Sequence, residues 1–303
     1  MESRGPPRQM SGDEIVNLLQ QYPNVIFGKN RFSKEDFLRV RPYAQKKKSV
    51  KRKRHVVEDN DETTDKLPKG WTKISIFYQL PYWQKLLIRH NLDPMHTEKN
   101  ICDNLLSTLL QDAMKSKDDL RARRDLTALN IRDDLQARDI GNNKFELPSS
   151  RITMTKIEME RFCEVIKSVK SSDGYASNIS NKVQVHERKI LGLKTHDYHV
   201  LLHQLLSVAL RKNMDKEVTK VIIEFCGFFR KLCSKVIDVR DFKVLATNMS
   251  ETLCKMELFF PPSFFTIRVH LSQHLANECI IAGPVNYRWM YPIERLVMFL
   301  AIT

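Results

Sequence analysis

Apolar side chains recur every three or four positions through most of the second half of the chain, which is the spacing of amphipathic helices. Five segments carry this pattern, and the breaks Pro261–Pro262 and Gly283–Pro284 separate some of them. The predicted helices cover 197–211, 215–236, 238–258, 264–278 and 290–300. The pattern therefore predicts a mainly α-helical, bundle-like body.

Three further helices are predicted nearer the N-terminus. Asp13–Gln21 has apolar residues at helical spacing and follows Ser11, a good N-cap residue. A second helix is expected after Asp93, and a third begins at Thr155, where Glu158 completes a capping box. These signals extend the helical pattern to most of the chain.

Two short segments favour strands instead. Residues 74–78 are rich in β-branched and aromatic side chains, and 86–88 is a short apolar run. The polar stretch 171–188 is typical of a loop. We therefore expect a few short strands near 73–90 beside the helical body.

Composition limits the class of protein. The chain has 303 residues, of which 42% are hydrophobic, so it can build a core and is not disordered throughout. The N-terminus has no apolar signal region, and no run of residues is long and apolar enough for a transmembrane helix. The six cysteines form no CxxC pair and are interpreted as reduced core residues.

The formal net charge of +14 suggests an acidic partner, with nucleic acid as the first choice and an anionic membrane surface as the second. The charge is densest in KKKSVKRKR, where seven of nine residues are basic. Five acids follow within 58–65, so a solvated linker is the alternative to a nuclear import signal or a phosphate-binding arm. The basic residues are Lys46, Lys47, Lys48, Lys51, Arg52, Lys53 and Arg54.

The sequence around Asp93 offers a first candidate for chemistry. Asp93 follows a short apolar run, and His96 comes three residues later. Asp93 is a suitable ligand for a hard divalent metal, and His96 is suited to sharing a proton or orienting a substrate. The alternative is that Asp93 caps the helix that begins at Pro94, a favoured first helical residue. Glu294 admits a similar alternative, since it falls in the first turn after Pro292.

A histidine series offers a second candidate. His196, His199 and His203 share one helical face, as a transition-metal site requires. The alternative places His196 at a helix start and leaves the other two partly buried or solvated. His270 and His274 also lie four positions apart, and we interpret them as histidines at the edge of the core.

Long segments after Lys69 follow one another in a recognisable order. Residues 71–102 read WTKISIFYQLPYWQKLLIRHNLDPMHTEKNIC. KSKDDLRARRDL, DGYASNIS, LGLKTHDYHVLLHQLL, CSKVIDV, LFFPPSFF and GPVNYRWMYPIER come later. Together these segments resemble plant CACTA-type (En/Spm) DNA transposases.

The resemblance implies an RNase H-like catalytic domain that contains a helical insertion. In that domain three carboxylates hold two divalent metals, Mg²⁺ or Mn²⁺, for phosphoryl transfer. The family's Asp-x-x-His signature falls on Asp93 and His96, and Glu294 is the best candidate for the third acid. Asp93 and Glu294 are then the expected metal ligands. The family's first Asp lies upstream of LPYW, and residues 1–70 offer no convincing counterpart.

These observations predict three regions: a flexible basic and acidic segment (1–70), a partial transposase domain (71–185) and a helical domain without an assigned role (186–303). We expect a catalytically incomplete, transposase-derived fragment that is nuclear and contacts DNA such as transposon ends. Full-length transposase and a second copy of the chain are further candidate partners, and no membrane partner is expected. The alternative is a helical protein–protein interaction module of a transposase complex that does not cut DNA.

Overall fold

The computed structural model describes residue 8 and residues 10–21, 75–170 and 178–300. The chain divides into two compact units, Met1–His90 and Asn91–Thr303. Within the described residues, helices predominate and the strands form two short hairpins, which confirms the mainly α-helical class. The basic stretch 46–54 lies outside the described residues.

The first unit contains helix α1, Gly12–Gln20. Ser11 caps it as predicted: the Glu14 amide donates to Ser11 Oγ at 3.1 Å, and the Ser11 amide donates to the Glu14 carboxylate at 2.7 Å. A side chain at Gly12 would clash with Gln84, since a Cβ there would lie 1.9 Å from the Gln84 carbonyl oxygen. This position therefore requires glycine.

The two strands predicted near 73–90 are wrong. Ile76–Gln79 and Trp83–Lys85 are 3₁₀ turns, and no strand forms in 75–90. The Ser75 hydroxyl accepts from the Phe77 amide and starts the first turn. The rings of Phe77 and Trp83 stack at 4.6 Å, so this aromatic run packs on itself and does not pair with a neighbouring strand.

The second unit begins with three helices whose N-termini are set by capping side chains. They are α2 (Pro94–Leu109), α3 (Leu120–Leu129) and α4 (Lys156–Ser168). Asp93 and Asp119 accept amide hydrogen bonds at the first two. Thr155 and Glu158 form the predicted capping box at the third. Short polar side chains therefore fix where each helix starts.

Two antiparallel hairpins complete this part of the unit. Strands β1 (Arg138–Asp139) and β2 (Phe145–Glu146) pair with Arg138 opposite Glu146. Strands β3 (Val183–Gln184) and β4 (Lys189–Ile190) form the other hairpin. Each strand has two residues, so the hairpins act as ordered connections between helices.

The remaining helices follow the predicted order. The first begins as α5 (Thr195–Val200), passes through a π-helical turn (Leu201–Leu205) and ends as α6 (Leu206–Ala209). It is followed by α7 (Lys216–Leu232), α8 (Val239–Glu257), α9 (Ile267–Ala282) and α10 (Tyr291–Leu300). Pro261–Pro262 separates α8 from α9, and Gly283–Pro284 separates α9 from α10, as the sequence indicates.

One hydrophobic core runs through the second unit. It joins apolar side chains of α2 and α4 to those of α5–α9, so residues on both sides of position 185 share it. Its largest fully buried side chains include Phe162, Phe225, Phe229, Phe260 and Phe264. All six cysteines are free thiols, of which Cys254 is exposed and Cys233 partly buried. Among the described residues, no helix is long and apolar enough to cross a membrane.

A buried ion pair anchors α3. The Arg123 side chain is only 4% exposed. Its Nη2 donates to Asp118 Oδ2 at 2.8 Å, and its Nη1 donates to the Leu135 carbonyl at 2.8 Å. The segment KSKDDLRARRDL thus supplies a structural contact. Removing one partner of such a pair leaves the other charge without compensation.

We therefore expect Arg123→Ala to lower the free energy of unfolding by roughly 3–5 kcal/mol, because Asp118 loses its partner in a largely buried position. Urea denaturation of the full chain measures this. Arg240→Ala is the matched control, since Arg240 pairs with Asp238 but is 90% exposed. Equal midpoints for the two variants would contradict the structural role of Arg123.

Candidate functional site

The structure brings the three residues expected from the resemblance together in the second unit. Asp93 precedes α2 and accepts a hydrogen bond from the His96 amide at 3.3 Å, which confirms that it caps this helix. The His96 ring also hydrogen-bonds to Asp93 through Nδ1. On its other side, His96 Nε2 lies 3.8 Å from Glu294 Oε1. Asp93 therefore caps α2 and also hydrogen-bonds to a histidine whose ring lies near a second acid, Glu294.

This group is open to solvent and has a histidine at its centre. The side chains of Asp93, His96 and Glu294 are 29–43% exposed. Both carboxylates contact the imidazole, which is a geometry suited to proton sharing. Whether Asp93 and Glu294 bind a metal stays a prediction.

A second group of ionisable side chains lies in the interior of the same unit. Its donor atoms all lie within 4.8 Å of one another. We call its members, Glu98, His199, His203 and Cys233, the Glu98 cluster.

Glu98 is the centre of this cluster. It lies in the second turn of α2, and its side chain is 1% exposed. Its Oε2 accepts from His199 Nδ1 at 2.8 Å, and its Oε1 accepts from His203 Nε2 at 2.7 Å. The Cys233 thiol donates to the same Oε1 at 3.1 Å. Three hydrogen bonds from three side chains thus satisfy one buried carboxylate.

The two histidines reach Glu98 because the helix that carries them changes its winding between them. His199 lies in α5 and His203 in the π-helical turn, and their ring centroids are 3.9 Å apart. A π-helical turn is wider than an α-helical one and occurs frequently at functional sites. His196 shares the face, 5.9 Å from the His199 ring, but is not a member of the cluster. The three rings therefore lie side by side, as the spacing predicts, and His196 also lies at the helix start with the other two largely buried, as the alternative interpretation has it.

Cys233 comes from the end of α7, where it is the C-cap residue. Its carbonyl oxygen accepts a hydrogen bond from Asn286 Nδ2 at 2.8 Å. Hydrogen bonds of the Cys233 thiol and of the Cys233 carbonyl therefore fix the end of α7.

Electrostatics favour a charged Glu98. Burial alone raises the pKa of Glu98, but the hydrogen bonds and charge of His199 and His203 outweigh it and lower the pKa to about 2. Burial raises the pKa of the Cys233 thiol well above its usual range, and the nearby Glu98 carboxylate adds to that rise. The cluster thus contains one carboxylate and one protonated thiol at neutral pH.

An open cleft of about 460 Å³ lies beside the cluster. It is lined by His196, His199, Trp289, Tyr291 and Pro292. The Tyr291 hydroxyl is buried and has no hydrogen-bond partner among the described residues. Burial raises its pKa far above the ordinary value, and the charge of Glu98 contributes. The cleft therefore connects the solvent to the His199 side of the cluster.

Sequence reasoning identified His199 and His203 but missed Glu98 and Cys233. One signal for Glu98 was present: it lies three, four and seven positions before Ile101, Cys102 and Leu105, which places a carboxylate on the buried face of α2. Cys233 gave no comparable signal. The other histidine pair, His270 and His274, lies on the exposed side of α9 with its Nε2 atoms 3.1 Å apart.

We expect Glu98→Ala to lower the free energy of unfolding by roughly 3–5 kcal/mol, because three buried polar side chains lose their common partner. Chemical denaturation of the full chain measures the change. Glu164→Ala is the control, since Glu164 is an exposed glutamate of α4. A Glu98→Ala variant as stable as this control would contradict the central role of Glu98.

Comparison with known protein families gives a match to part of this unit. Residues 232–302 match the model of a family described as a domain of unknown function, DUF4218. That family is known in plant transposase-like proteins. No curated protein and no solved structure matches the chain. The matched segment contains Cys233 and Glu294 and covers less than a quarter of the chain.

Proposed function

We propose that this chain is a transposase-derived protein of the CACTA type that contacts DNA in the nucleus and does not cut it unaided. One observation carries the proposal. Asp93 and Glu294, the two acids that the resemblance selects from distant parts of the sequence, lie on either side of one histidine, His96. The match of 232–302 to DUF4218 supports the same origin.

The proposed DNA contact rests on charge. The chain has a formal net charge of +14, and seven of the nine residues in 46–54 are basic. Lysine and arginine side chains bind backbone phosphates and release condensed counterions, so this binding does not depend on DNA sequence. Transposon ends are the proposed DNA partner, and the same stretch suits a nuclear import signal.

The proposed lack of cleavage rests on the number of acids. Two-metal phosphoryl transfer needs carboxylates that hold both Mg²⁺ or Mn²⁺ ions, and the resemblance assigns two acids to this chain in place of three. In the structure, the His96 ring contacts both of these acids.

A second function has an observation in its favour. Helix α10 exposes Ile293, Leu296 and Val297, which are each at least 50% exposed and occupy one helical stripe. An exposed apolar stripe is typical of a surface that binds another protein. A protein–protein interaction module, assembling with a transposase or a second copy, is therefore the alternative proposal.

Binding to a random-sequence DNA duplex tests the first proposal. We expect the affinity of the full chain to fall steeply as salt is added, and alanine at the seven basic positions of 46–54 to make the slope of log K against log salt shallower by up to about six. Fluorescence anisotropy across a salt series measures both quantities.

A charge-matched control variant separates the effect of the basic stretch on DNA affinity from the effect of net charge. It replaces seven exposed basic residues of the folded second unit with alanine: Lys144, Arg161, Lys167, Lys170, Lys212, Lys216 and Lys220. This control should keep most of the salt slope. Equal losses in the two variants would show that 46–54 is not the contact region, and no DNA binding at all would overturn the proposal.

A cleavage assay tests the second part of the proposal, which is that the chain does not cut DNA unaided. We expect the full chain to leave supercoiled and transposon-end DNA intact with Mg²⁺ or Mn²⁺, because two acids cannot hold both metals. Cleavage that disappears in Asp93→Ala would show an active enzyme.

The interaction proposal has its own test. Val297→Asp places a charge in the apolar stripe of α10 and should abolish self-association in sedimentation experiments while leaving DNA affinity unchanged. If the wild-type chain is monomeric and captures no transposase subunit, this alternative loses its support.

A further inference from the structure

The Glu98 cluster has the composition of a transition-metal site. Its donors are two imidazole nitrogens, one carboxylate oxygen and one thiol sulfur. Magnesium and calcium prefer oxygen ligands alone, whereas zinc is bound by cysteine, histidine and carboxylate together. We propose that the Glu98 cluster binds one transition-metal ion, and that zinc is the ion its donors fit best.

The spacing of the donors supports a single ion. A tetrahedral site with zinc–ligand bonds of about 2.0–2.3 Å has its ligand atoms about 3.3–3.8 Å apart. The three donor pairs that include Glu98 are now 2.7–3.1 Å apart, as hydrogen bonds require. All four donors lie within 4.8 Å of one another, so a pair at that limit would have to close by roughly 1.0–1.5 Å to reach these spacings, which side-chain torsions can supply.

Metal binding exchanges protons for coordinate bonds. The hydrogen bonds to Glu98 are replaced by one bond from each donor to the ion. The Cys233 thiol loses its proton to solvent. Each histidine presents a lone pair at its coordinating nitrogen, and the N–H proton from that nitrogen leaves to solvent or is replaced by one on the other ring nitrogen. No oxidant or reductant takes part, and the ion keeps its charge.

Surrounding contacts hold the ligands in place, as outer contacts do in known metal sites. Arg230 Nε donates to the His203 carbonyl at 2.9 Å, and Asn286 fixes the Cys233 carbonyl. The cleft lined by Trp289 and Tyr291 provides an entry path, and His199 at its edge is 16% exposed. Four protein ligands fill a tetrahedron, which is typical of a structural ion.

Cobalt titration of the full chain, stripped with a chelator, tests the proposal. We expect one Co²⁺ per chain, with the visible absorption of a four-coordinate ion and a thiolate charge-transfer band, and we expect one equivalent of Zn²⁺ to displace it. Cys233→Ser should lose the thiolate band and weaken binding more than about 100-fold, since outer contacts alone are worth 10–100-fold.

Two control variants address other sites. Cys254→Ser removes an exposed thiol, and the double variant His270→Ala with His274→Ala removes the exposed histidine pair of α9. Both should keep the spectrum and the stoichiometry. A thiolate band that survives in Cys233→Ser, or is lost in Cys254→Ser, would overturn the assignment.

A measurement on the unaltered protein covers the case in which Cys233→Ser does not fold. X-ray absorption at the zinc edge of the reconstituted full chain should show one sulfur and three nitrogen or oxygen neighbours. A shell without sulfur, or no stoichiometric zinc, would overturn the proposal. These readouts involve no DNA, so they are independent of the proposed nucleic-acid contact.

Discussion

The second unit depends on the burial of one carboxylate. A buried carboxylate is costly unless hydrogen-bonding or charged partners compensate it, and Glu98 is 1% exposed at the centre of a helical core. Its partners come from α5, from the π-helical turn and from the end of α7, so satisfying Glu98 fixes three chain segments against α2. The apolar core supplies most of the burial, whereas these hydrogen bonds specify the register in which the helices meet.

Local signals in the sequence were sufficient to predict most of the helices. Ser11, Asp93 and Thr155 start helices because their side chains accept amide hydrogen bonds at helix ends, and this depends on neighbouring residues alone. The error at 74–90 has a physical cause as well. Aromatic residues there suit a strand only if another strand is available for pairing, and in the structure Phe77 stacks on Trp83. The conformation of this segment therefore depends on tertiary contacts and not on the β propensity of its residues.

Two of the four residues of the candidate site could be predicted from the sequence, because the other two depend on tertiary packing. His199 and His203 share a helical face, which their spacing shows, whereas Cys233 joins them only through the packing of α7. The widened turn that includes His203 has no reliable sequence signal. Glu98 is a polar residue on an apolar face, and such a residue indicates a buried partner without identifying it.

The exposed group of Asp93, His96 and Glu294 lies on the same two helices as residues of, or in contact with, the buried cluster. Asp93 and His96 form the start of α2, five and two residues before Glu98. Glu294 lies in the first turn of α10, and that turn begins at Tyr291, whose ring lies 6.0 Å from the His199 ring. The start of α10 therefore packs against the His199 side of the Glu98 cluster. The segment matched by DUF4218 therefore packs into the rest of this unit, because its Cys233 and Glu294 contact side chains that lie before residue 232.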